Sequence, residues 1–490
     1  MERTTGSEGR GRTVLVLTYR WPPQGGGGVQ RTLKLVKYLA GLGWRPVVHT
    51  VANPYSRLWD PTLASEIPES AVVYKTPTVE YESLRLGAAN LAGRALRALR
   101  GGKSEKGSSK SAGGGSKAPP AAAASLDEVG TRESRRQAGL AGRVEDWIWS
   151  RLLIPDPQIV WSAAAFVRSL AIAQKENPAV VYSSSPPNSL NVMALALARR
   201  LHLPWIADMR DPWTDGLRRR QWYPDHPGRQ RREERWERQI FENATNVLVT
   251  TDPARQTFLD KYPWCPPERV RVLTNAFDPA DFAQVSSERR LLEPGHLHLS
   301  LSGNVETMFD LGPFLVAVRG LIDADPAARE FLRVNFLGTK RQLRYDEAIE
   351  KLGIGDVVRF HAYMPHERVV QLVSESDALM LCQIPAQESG GVKLPGKMFE
   401  YLFTRKPILA LTIPGATQEI LDRAGVGRVV DPNDVAGIRA ELSRFVDEYR
   451  HGGIRAVANE AVIESFDRSA QARVVSDLLS EAIAEGPRRG

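Results

Sequence analysis

Short apolar runs alternate with amphipathic segments along most of the chain. Residues 13–19 (TVLVLTY) and 46–51 (PVVHTV) are apolar and rich in β-branched side chains. Between them, apolar positions recur at helical spacing until Gly41 and Gly43. Short uninterrupted apolar runs are typical of buried strands in parallel sheets. The pattern predicts a strand–loop–helix–strand unit, which is the building block of a doubly wound α/β sheet.

This alternation continues in two successive sets. Further strands of the first set are predicted at 179–185 (AVVYSSS), 204–211 (PWIADMRD) and 246–251 (NVLVTT). A second set opens at 297–304 (LHLSLSGN) and continues through FLRVNFLG, VVRFHAY, ALMLCQI, KPILALT and GRVVD. We predict a first domain at 12–283, a second at 296–458 and a C-terminal helical segment at 459–490. Whether that segment returns to the first domain stays open at this point.

One stretch of the first domain has a different composition. Residues 101–124 read GGKSEKGSSKSAGGGSKAPPAAAA. Glycine, serine, lysine, alanine and proline cannot supply enough apolar surface for a core. We therefore predict a disordered insertion at about 101–142 that carries no chemistry.

Composition and charge narrow the class of protein. The 490 residues carry a formal net charge of +8, which favours anionic partners. The arginines of 216–239 nevertheless interleave with glutamates at helical spacing, which indicates a solvated, ion-paired helix rather than a nucleic-acid surface. Cys265 and Cys382 form no disulfide framework or metal motif, and no apolar signal region precedes the first strand. We expect a cytoplasmic protein that does not bind nucleic acid.

Four consecutive glycines follow the first predicted strand. Gly25, Gly26, Gly27 and Gly28 stand directly before a helical pattern. Ligands of open α/β sheets bind beyond the carboxyl ends of strands, and a helix N-terminus offers free N–H groups to an anion. The spacing is neither the dinucleotide fingerprint nor a P-loop. It predicts a close approach by a ligand or by a facing domain.

The opening of the chain resembles that of family 4 glycosyltransferases. The resemblance lies in the first strand, the segment 19–31 (YRWPPQGGGGVQR) and the following helix and strand. It implies the GT-B fold, in which two Rossmann-like doubly wound domains face each other across a cleft. It also implies that the glycine loop, with Arg31 just inside the helix, approaches the donor or the acceptor.

A second block carries the resemblance more specifically. Residues 393–411 (KLPGKMFEYLFTRKPILAL) resemble the donor-nucleotide motif of that family, and 301–304 (LSGN) resemble the first loop of its donor domain. The resemblance implies that Glu400 accepts the ribose hydroxyls of a nucleotide sugar. Where many members have a second glutamate, this chain has Val392, and Glu388 lies four residues upstream. The other residues implied for donor binding are Lys393, Lys397, Gly390, Gly391, Gly303 and Asn304.

The segment 206–213 (IADMRDPW) supplies the candidate catalytic residues. It ends a predicted strand with Asp208, Arg210 and Asp211, and unpaired buried charges are costly. The RDPW sequence resembles a subgroup of bacterial surface-polysaccharide glycosyltransferases, in which Asp211 would orient the acceptor hydroxyl or accept its proton. We expect Ser185 or Asn188 to cap the next helix. The residues His202, His226 and His366 are expected to be structural or solvated.

The predicted function is transfer of a sugar from a nucleotide sugar to a saccharide or lipid-linked saccharide. The resemblance implies retention of anomeric configuration without a metal or a cofactor. Residues 146–155 (DWIWSRLLIP) fit either an anionic membrane surface at the inner leaflet or ordinary interdomain packing. Two alternative functions stay open: a GT-B-fold nucleotide-sugar epimerase, and a non-catalytic protein that binds polyanions.

Overall fold

The chain forms two parallel β-sheets that are each flanked by helices. The structure is a computed structural model, and it describes residues 11–54, 56, 58–79, 81, 139–210, 212–214, 226–283, 285–286, 288, 290–303, 309–338, 343–383 and 394–488. We call the sheet nearer the N-terminus, with its helices, the first lobe, and the other sheet with its helices the second lobe. The predicted α/β class with two doubly wound sheets is confirmed.

The first lobe contains a seven-stranded sheet. Its strands are β1 (Thr13–Thr18), β2 (Arg45–Val51), β3 (Val72–Thr76), β4 (Val180–Ser185), β5 (Trp205–Met209), β6 (Asn246–Val249) and β7 (Val270–Val272). They pair in the order β3-β2-β1-β4-β5-β6-β7. The five central strands are buried almost throughout because helices cover both faces, so they lack the alternation of half-exposed strands. The helices are α1 (Gly27–Gly41), α2 (Gly139–Arg151), α3 (Ile159–Glu176), α4 (Asn188–Leu201), α5 (Pro227–Asn243), α6 (Asp252–Lys261) and, leading out of the lobe, α7 (Pro279–Phe282).

The second lobe contains a six-stranded sheet in the order β10-β9-β8-β11-β12-β13. Its strands are β8 (Leu297–Ser302), β9 (Leu332–Leu337), β10 (Val358–His361), β11 (Ala378–Cys382), β12 (Ile408–Leu411) and β13 (Gly427–Val430). Its helices are α8 (Gly312–Ala324), α9 (Ala328–Phe331), α10 (Leu343–Leu352), α11 (His366–Glu375), α12 (Gly396–Thr404), α13 (Ala416–Ala424), α14 (Val435–Arg450) and α15 (Glu460–Glu464).

Strand order reverses once in each sheet, and those reversals locate the sites where ligands bind in such folds. In the first lobe the reversal lies between β1 and β4, and in the second between β8 and β11. The glycine loop follows β1, and Gly303 follows β8. Both motifs recognised in the sequence therefore lie at the positions where a doubly wound sheet opens to a ligand.

The last helix, α16 (Arg468–Glu485), belongs to the core of the first lobe. Val475 and Leu479 are fully buried there, and Trp44 donates from Nε1 to the Ser476 hydroxyl at 2.9 Å. The chain crosses between the lobes where Phe277 and Asp467 form an isolated parallel bridge. The return of the C-terminal segment, which the sequence left open, is thus observed.

The charged helix α5 is ion-paired and exposed along one side, as its sequence predicts, but its other side is buried. Arg229 and Glu233 are both 0% exposed and form an ion pair of 2.8 Å. The Arg229 guanidinium also donates to the backbone carbonyls of Trp149 and Leu153, at 2.5 and 3.1 Å. One face of α5 therefore anchors the C-terminal end of α2. That helix begins at Gly139, so the last residues of the insertion predicted at about 101–142 are helical, while positions 101–138 lie outside the described residues.

The predicted capping of α4 is also wrong. Neither Ser185 nor Asn188 caps that helix with its side chain. The carboxylate of Asp156 accepts from the Ser189 backbone N–H at 3.0 Å and from its hydroxyl at 2.6 Å. A residue more than 30 positions upstream thus supplies the acceptor, because the turn after α2 passes the start of α4.

Candidate functional site

The glycine loop lies against the second lobe and against Arg210. A β-carbon on Gly25 would lie 2.8 Å from the Tyr363 hydroxyl oxygen, which belongs to the loop after β10. A β-carbon on Gly28 would lie 3.4 Å from Nη1 of Arg210. Gly26 has a φ of 98°, whereas a β-carbon on Gly27 would meet no described atom within 4 Å. The loop leaves room for the facing lobe at one end and for a cationic side chain at the other.

Arg210 lies at the end of β5 between two loops of the first lobe. Its Nε donates to the Ser185 carbonyl at 2.7 Å, and its Nη2 donates to the Pro186 carbonyl at 3.2 Å. These bonds direct the guanidinium toward the glycine loop, at the edge of the sheet where ligands bind. Asp211, the predicted proton acceptor, lies outside the described residues.

Asp208 and Arg31 form a buried ion pair instead of facing a ligand. Their exposures are 0% and 3%, and Arg31 donates to both carboxylate oxygens at 2.8 Å. Tyr182 and Ser184 donate to the same carboxylate, each at 2.9 Å. Burial raises the pKa of Asp208, but the charge and hydrogen bonds of Arg31, together with Arg210 and Ser184, outweigh it and hold the pKa below its ordinary value.

This pair corrects two predictions. Asp208 was expected to be catalytic, yet its carboxylate is enclosed and accepts four hydrogen bonds. Arg31 was expected to approach a ligand, but it also donates to the carbonyls of Leu273 and Thr274 at 3.0 and 2.9 Å. Together, the two residues connect α1, and with it the glycine loop, to β5 and to the segment directly after β7.

In the second lobe, α12 carries both Lys397 and Glu400, and Lys397 lies beside Gly303. Lys397 lies in the first turn, and its Nζ is 3.6 Å from where a β-carbon of Gly303 would be. Gly303 has a φ of 75°, which suits glycine. Tyr401 fixes this arrangement, because its hydroxyl accepts from the Ser302 backbone N–H at 2.7 Å. The end of β8 is thereby held against α12.

Glu400 is half-buried, and its carboxylate makes no hydrogen bond or ion pair with any described residue. Burial raises the pKa of its carboxyl group, and the nearby His366 opposes that rise. A half-buried carboxylate with open acceptor positions, one turn from an ammonium group and a helix N-terminus, can bind a diol and an anion together. The remaining predicted donor residues, Glu388, Gly390, Gly391, Lys393 and Asn304, lie outside the described residues.

A buried ionic cluster, which the sequence did not reveal, joins the two lobes. The Lys34 ammonium is 0% exposed and contacts the carboxylates of Glu66 at 2.5 Å, Asp278 at 2.8 Å and Asp281. Asp281 also contacts Nε2 of His366 at 3.4 Å. The three carboxylates converge closely enough to hold a metal ion, but the lysine ammonium contacts all three of them. The Lys34 ammonium therefore offsets part of the negative charge of these carboxylates.

His366, which was expected to be structural or solvated, therefore has a carboxylate partner that the sequence did not reveal. His226 is structural as expected, because its ring accepts from the backbone N–H groups that open α5. His202 ends α4 in a left-handed conformation. Only the position of His366 at the start of a helix could be predicted; its partner Asp281 lies 85 residues earlier.

Comparisons with known proteins agree with these observations. The profile of Glycosyltransferase Family 4 matches residues 129–281. Two curated relatives are D-inositol 3-phosphate glycosyltransferases, from Streptomyces griseus (26% identity, covering 38% of this chain and 40% of that protein) and Corynebacterium kroppenstedtii (26% identity, covering 51% and 56%). The chain thus spans about half the length of the curated relatives it matches. The predicted resemblance to family 4 glycosyltransferases is confirmed.

The fold is GT-B, as the resemblance implied. A solved glycosyltransferase from Rickettsia africae superposes with a TM-score of 0.58 over 96% of this chain and 99% of that one, at 12% identity. Within the described part of the chain, every helix is too short or too polar to cross a membrane.

Proposed function

We propose that the chain is a glycosyltransferase that moves a sugar from a nucleotide-sugar donor to a saccharide acceptor. The observation that carries the proposal is the position of Lys397 beside Gly303, at the strand reversal of the second sheet, with Glu400 one turn further along α12. The match of residues 129–281 to Glycosyltransferase Family 4 supports it independently, because that match lies in the other lobe. Sugar transfer needs groups from both lobes, and both supply them.

Each residue of the proposed donor-binding site has a role. Glu400 accepts hydrogen bonds from the two ribose hydroxyls, since one carboxylate offers two oxygens. Lys397 and the free N–H groups of α12 bind the diphosphate and stabilise its charge as it leaves. Gly303 leaves space beside Lys397 for the phosphate oxygens. Lys393, Gly390, Gly391, Glu388 and Asn304 are proposed to complete this site.

The first lobe supplies the acceptor side. Arg210 offers a guanidinium beside the glycine loop, and Asp211 is proposed to orient the acceptor hydroxyl. With Lys397 and Arg210 as cations, the reaction is proposed to need no metal and to retain the anomeric configuration, as the family resemblance implies. These groups come from opposite lobes, so a reacting sugar would lie between them.

We propose further that the acceptor is a lipid-linked saccharide and that α2 rests on an anionic membrane surface. Trp149 packs inside, edge-on to Tyr81 at 5.7 Å, whereas Trp147 and Leu152 are 57% and 59% exposed. The exposed Arg143 and Arg151 flank these apolar side chains. Exposed tryptophan and leucine beside arginine suit the interface of an anionic bilayer. Sedimentation with phosphatidylglycerol vesicles tests this, and binding that survives in a Trp147→Ser, Leu152→Ser variant contradicts it.

The test of function measures release of free nucleoside diphosphate. Purified protein is incubated with UDP-, GDP- and dTDP-sugars, with and without bacterial lipid extract. We expect one donor to release its nucleoside diphosphate only when the extract is present, and Glu400→Gln to abolish that release. The exposed Glu347→Gln serves as the matched control. Conversion of the donor sugar without an acceptor would indicate an epimerase, and an unconsumed donor would indicate a non-catalytic protein.

A further inference from the structure

His366 is the first residue of α11, and elements outside that helix hold it from two sides. Its backbone N–H donates to Oδ2 of Asp60 at 3.2 Å. Its Nε2 lies 3.4 Å from Oδ2 of Asp281. Asp60 belongs to the first lobe and is 3% exposed, and Asp281 lies in α7, on the connection between the lobes. The ring therefore has a fixed place at the junction of the lobes.

Helix α11 packs against α12, which carries Glu400, and against α7, which carries Asp281. The charges that face the ring come from three other elements. Glu400 of α12 and Asp281 of α7 favour the imidazolium, whereas Lys34 of α1 opposes it. Burial lowers the pKa of His366, but Glu400 first and Asp281 second raise it to about 9. The ring is thus cationic at neutral pH. Conversely, His366 is the strongest of the groups that counter the burial-driven rise in the pKa of Glu400.

We propose that His366 is a positioning residue for Glu400, and that its imidazolium, fixed by Asp281, holds the Glu400 carboxylate charged and ready for the donor's ribose hydroxyls. This inference rests on the proposed function, because it requires Glu400 to bind ribose. A carboxylate accepts stronger hydrogen bonds than a neutral carboxylic acid does. The half-buried Glu400 needs a nearby positive charge for that purpose. The connection between the lobes, through Asp281, thereby becomes part of donor recognition.

The experiment compares two ligands that differ only at the ribose. Whichever of UDP, GDP and dTDP binds the wild-type chain most tightly is titrated calorimetrically at neutral pH, alongside the same base's diphosphate lacking both ribose hydroxyls. We expect the wild type to bind the complete ligand about tenfold more tightly than its dideoxy form. In His366→Gln the complete ligand should weaken about tenfold, while the dideoxy form changes little. The difference between the two ligands should therefore vanish.

Further variants separate positioning from loss of structure. His366→Lys restores a positive charge and should recover part of the ribose discrimination. His366→Gln added to Glu400→Gln should cause no further loss, since residues that act through one another are not additive. The exposed His451→Gln is the matched control and should bind both ligands as the wild type does.

Two results would overturn the proposal while the proposed function stands. One is His366→Gln discriminating between the ligands as well as the wild type does. The other is an equal loss for both ligands in His366→Gln, which would indicate a structural role only. A wild-type chain that binds none of the three nucleoside diphosphates would instead contradict the proposed function itself, and this inference with it.

Discussion

The β-carbon that Gly25 lacks would lie 2.8 Å from the hydroxyl oxygen of Tyr363, on the other lobe. The same glycine donates its backbone N–H to the Leu58 carbonyl at 2.8 Å, so the loop cannot move away freely. Gly25 is therefore the glycine of the run that lies against the facing lobe, whereas a β-carbon on Gly27 would meet no described atom within 4 Å. The sequence alone does not distinguish these two positions.

Gly25→Ala should destabilise the protein through that contact. An added methyl group would overlap the Tyr363 hydroxyl and force that half-exposed ring to shift, at a cost of up to about 1 kcal/mol. We expect a loss of up to about 2 °C in melting temperature. Tyr363→Phe removes the oxygen and should relieve most of the loss. Gly27→Ala is the matched control, because its β-carbon meets no described atom. Equal effects at Gly25 and Gly27 would contradict this account.

Asp208→Asn should affect stability more than the chemical step. The substitution leaves the Arg31 guanidinium buried without its anionic partner, and breaking such a pair costs about 3–5 kcal/mol. The melting temperature should fall markedly, whereas Asp260→Asn, on the exposed side of α6, should leave it unchanged. A variant that melts like the wild type but has lost turnover would restore the catalytic role predicted from sequence.

The ion pair of His366 should make stability depend on pH in the alkaline range. The pKa of His366 is raised from about 6.5 to about 9, so the folded state binds the proton more tightly than the unfolded state does. Its stabilisation is complete below about pH 6.5 and is lost as pH rises through about 9.

The measurement is the melting temperature of the wild type and of His366→Gln across this range. The gap between them should narrow from about pH 6.5 to about pH 10. His451→Gln should follow the wild type throughout. A gap that stays constant or widens with rising pH would contradict the ion pair.

Lys397→Met should weaken binding of phosphate rather than of nucleoside. A charged hydrogen bond is worth about 1.5–3 kcal/mol, so nucleoside diphosphate affinity should drop about 10- to 100-fold. Affinity for the nucleoside alone should stay nearly unchanged. The exposed Lys351→Met provides a control of the same charge change. If nucleoside and nucleoside diphosphate weaken together, Lys397 does not contact the diphosphate.

The sequence was sufficient for the fold because its strands are continuous apolar runs buried between helices. It was also sufficient to find Glu400 and the glycine loop, since each lies in a contiguous motif. It could not identify the partner of Asp208, because Arg31 lies 177 positions away and meets it only through the packing of α1 on the sheet. The expectation for Asp208 therefore failed although the strand itself was predicted correctly.

The junction of the lobes was the least predictable part. Tyr363 and Gly25 are more than 300 residues apart, and neither lies in a motif that indicates a contact with the other. The same holds for Lys34, which reads as an ordinary polar position of an amphipathic helix but is 0% exposed among three carboxylates. Such contacts depend on how two separately patterned lobes meet, and local periodicity carries no information about that.

In the proposed function, Glu400 binds the ribose of a nucleotide-sugar donor. The most direct test is calorimetric titration of UDP, GDP and dTDP into the wild type, Glu400→Gln and the control Glu347→Gln. We predict that one nucleoside diphosphate binds the wild type and Glu347→Gln equally, and binds Glu400→Gln at least about tenfold more weakly. Equal affinity in Glu400→Gln would contradict the account.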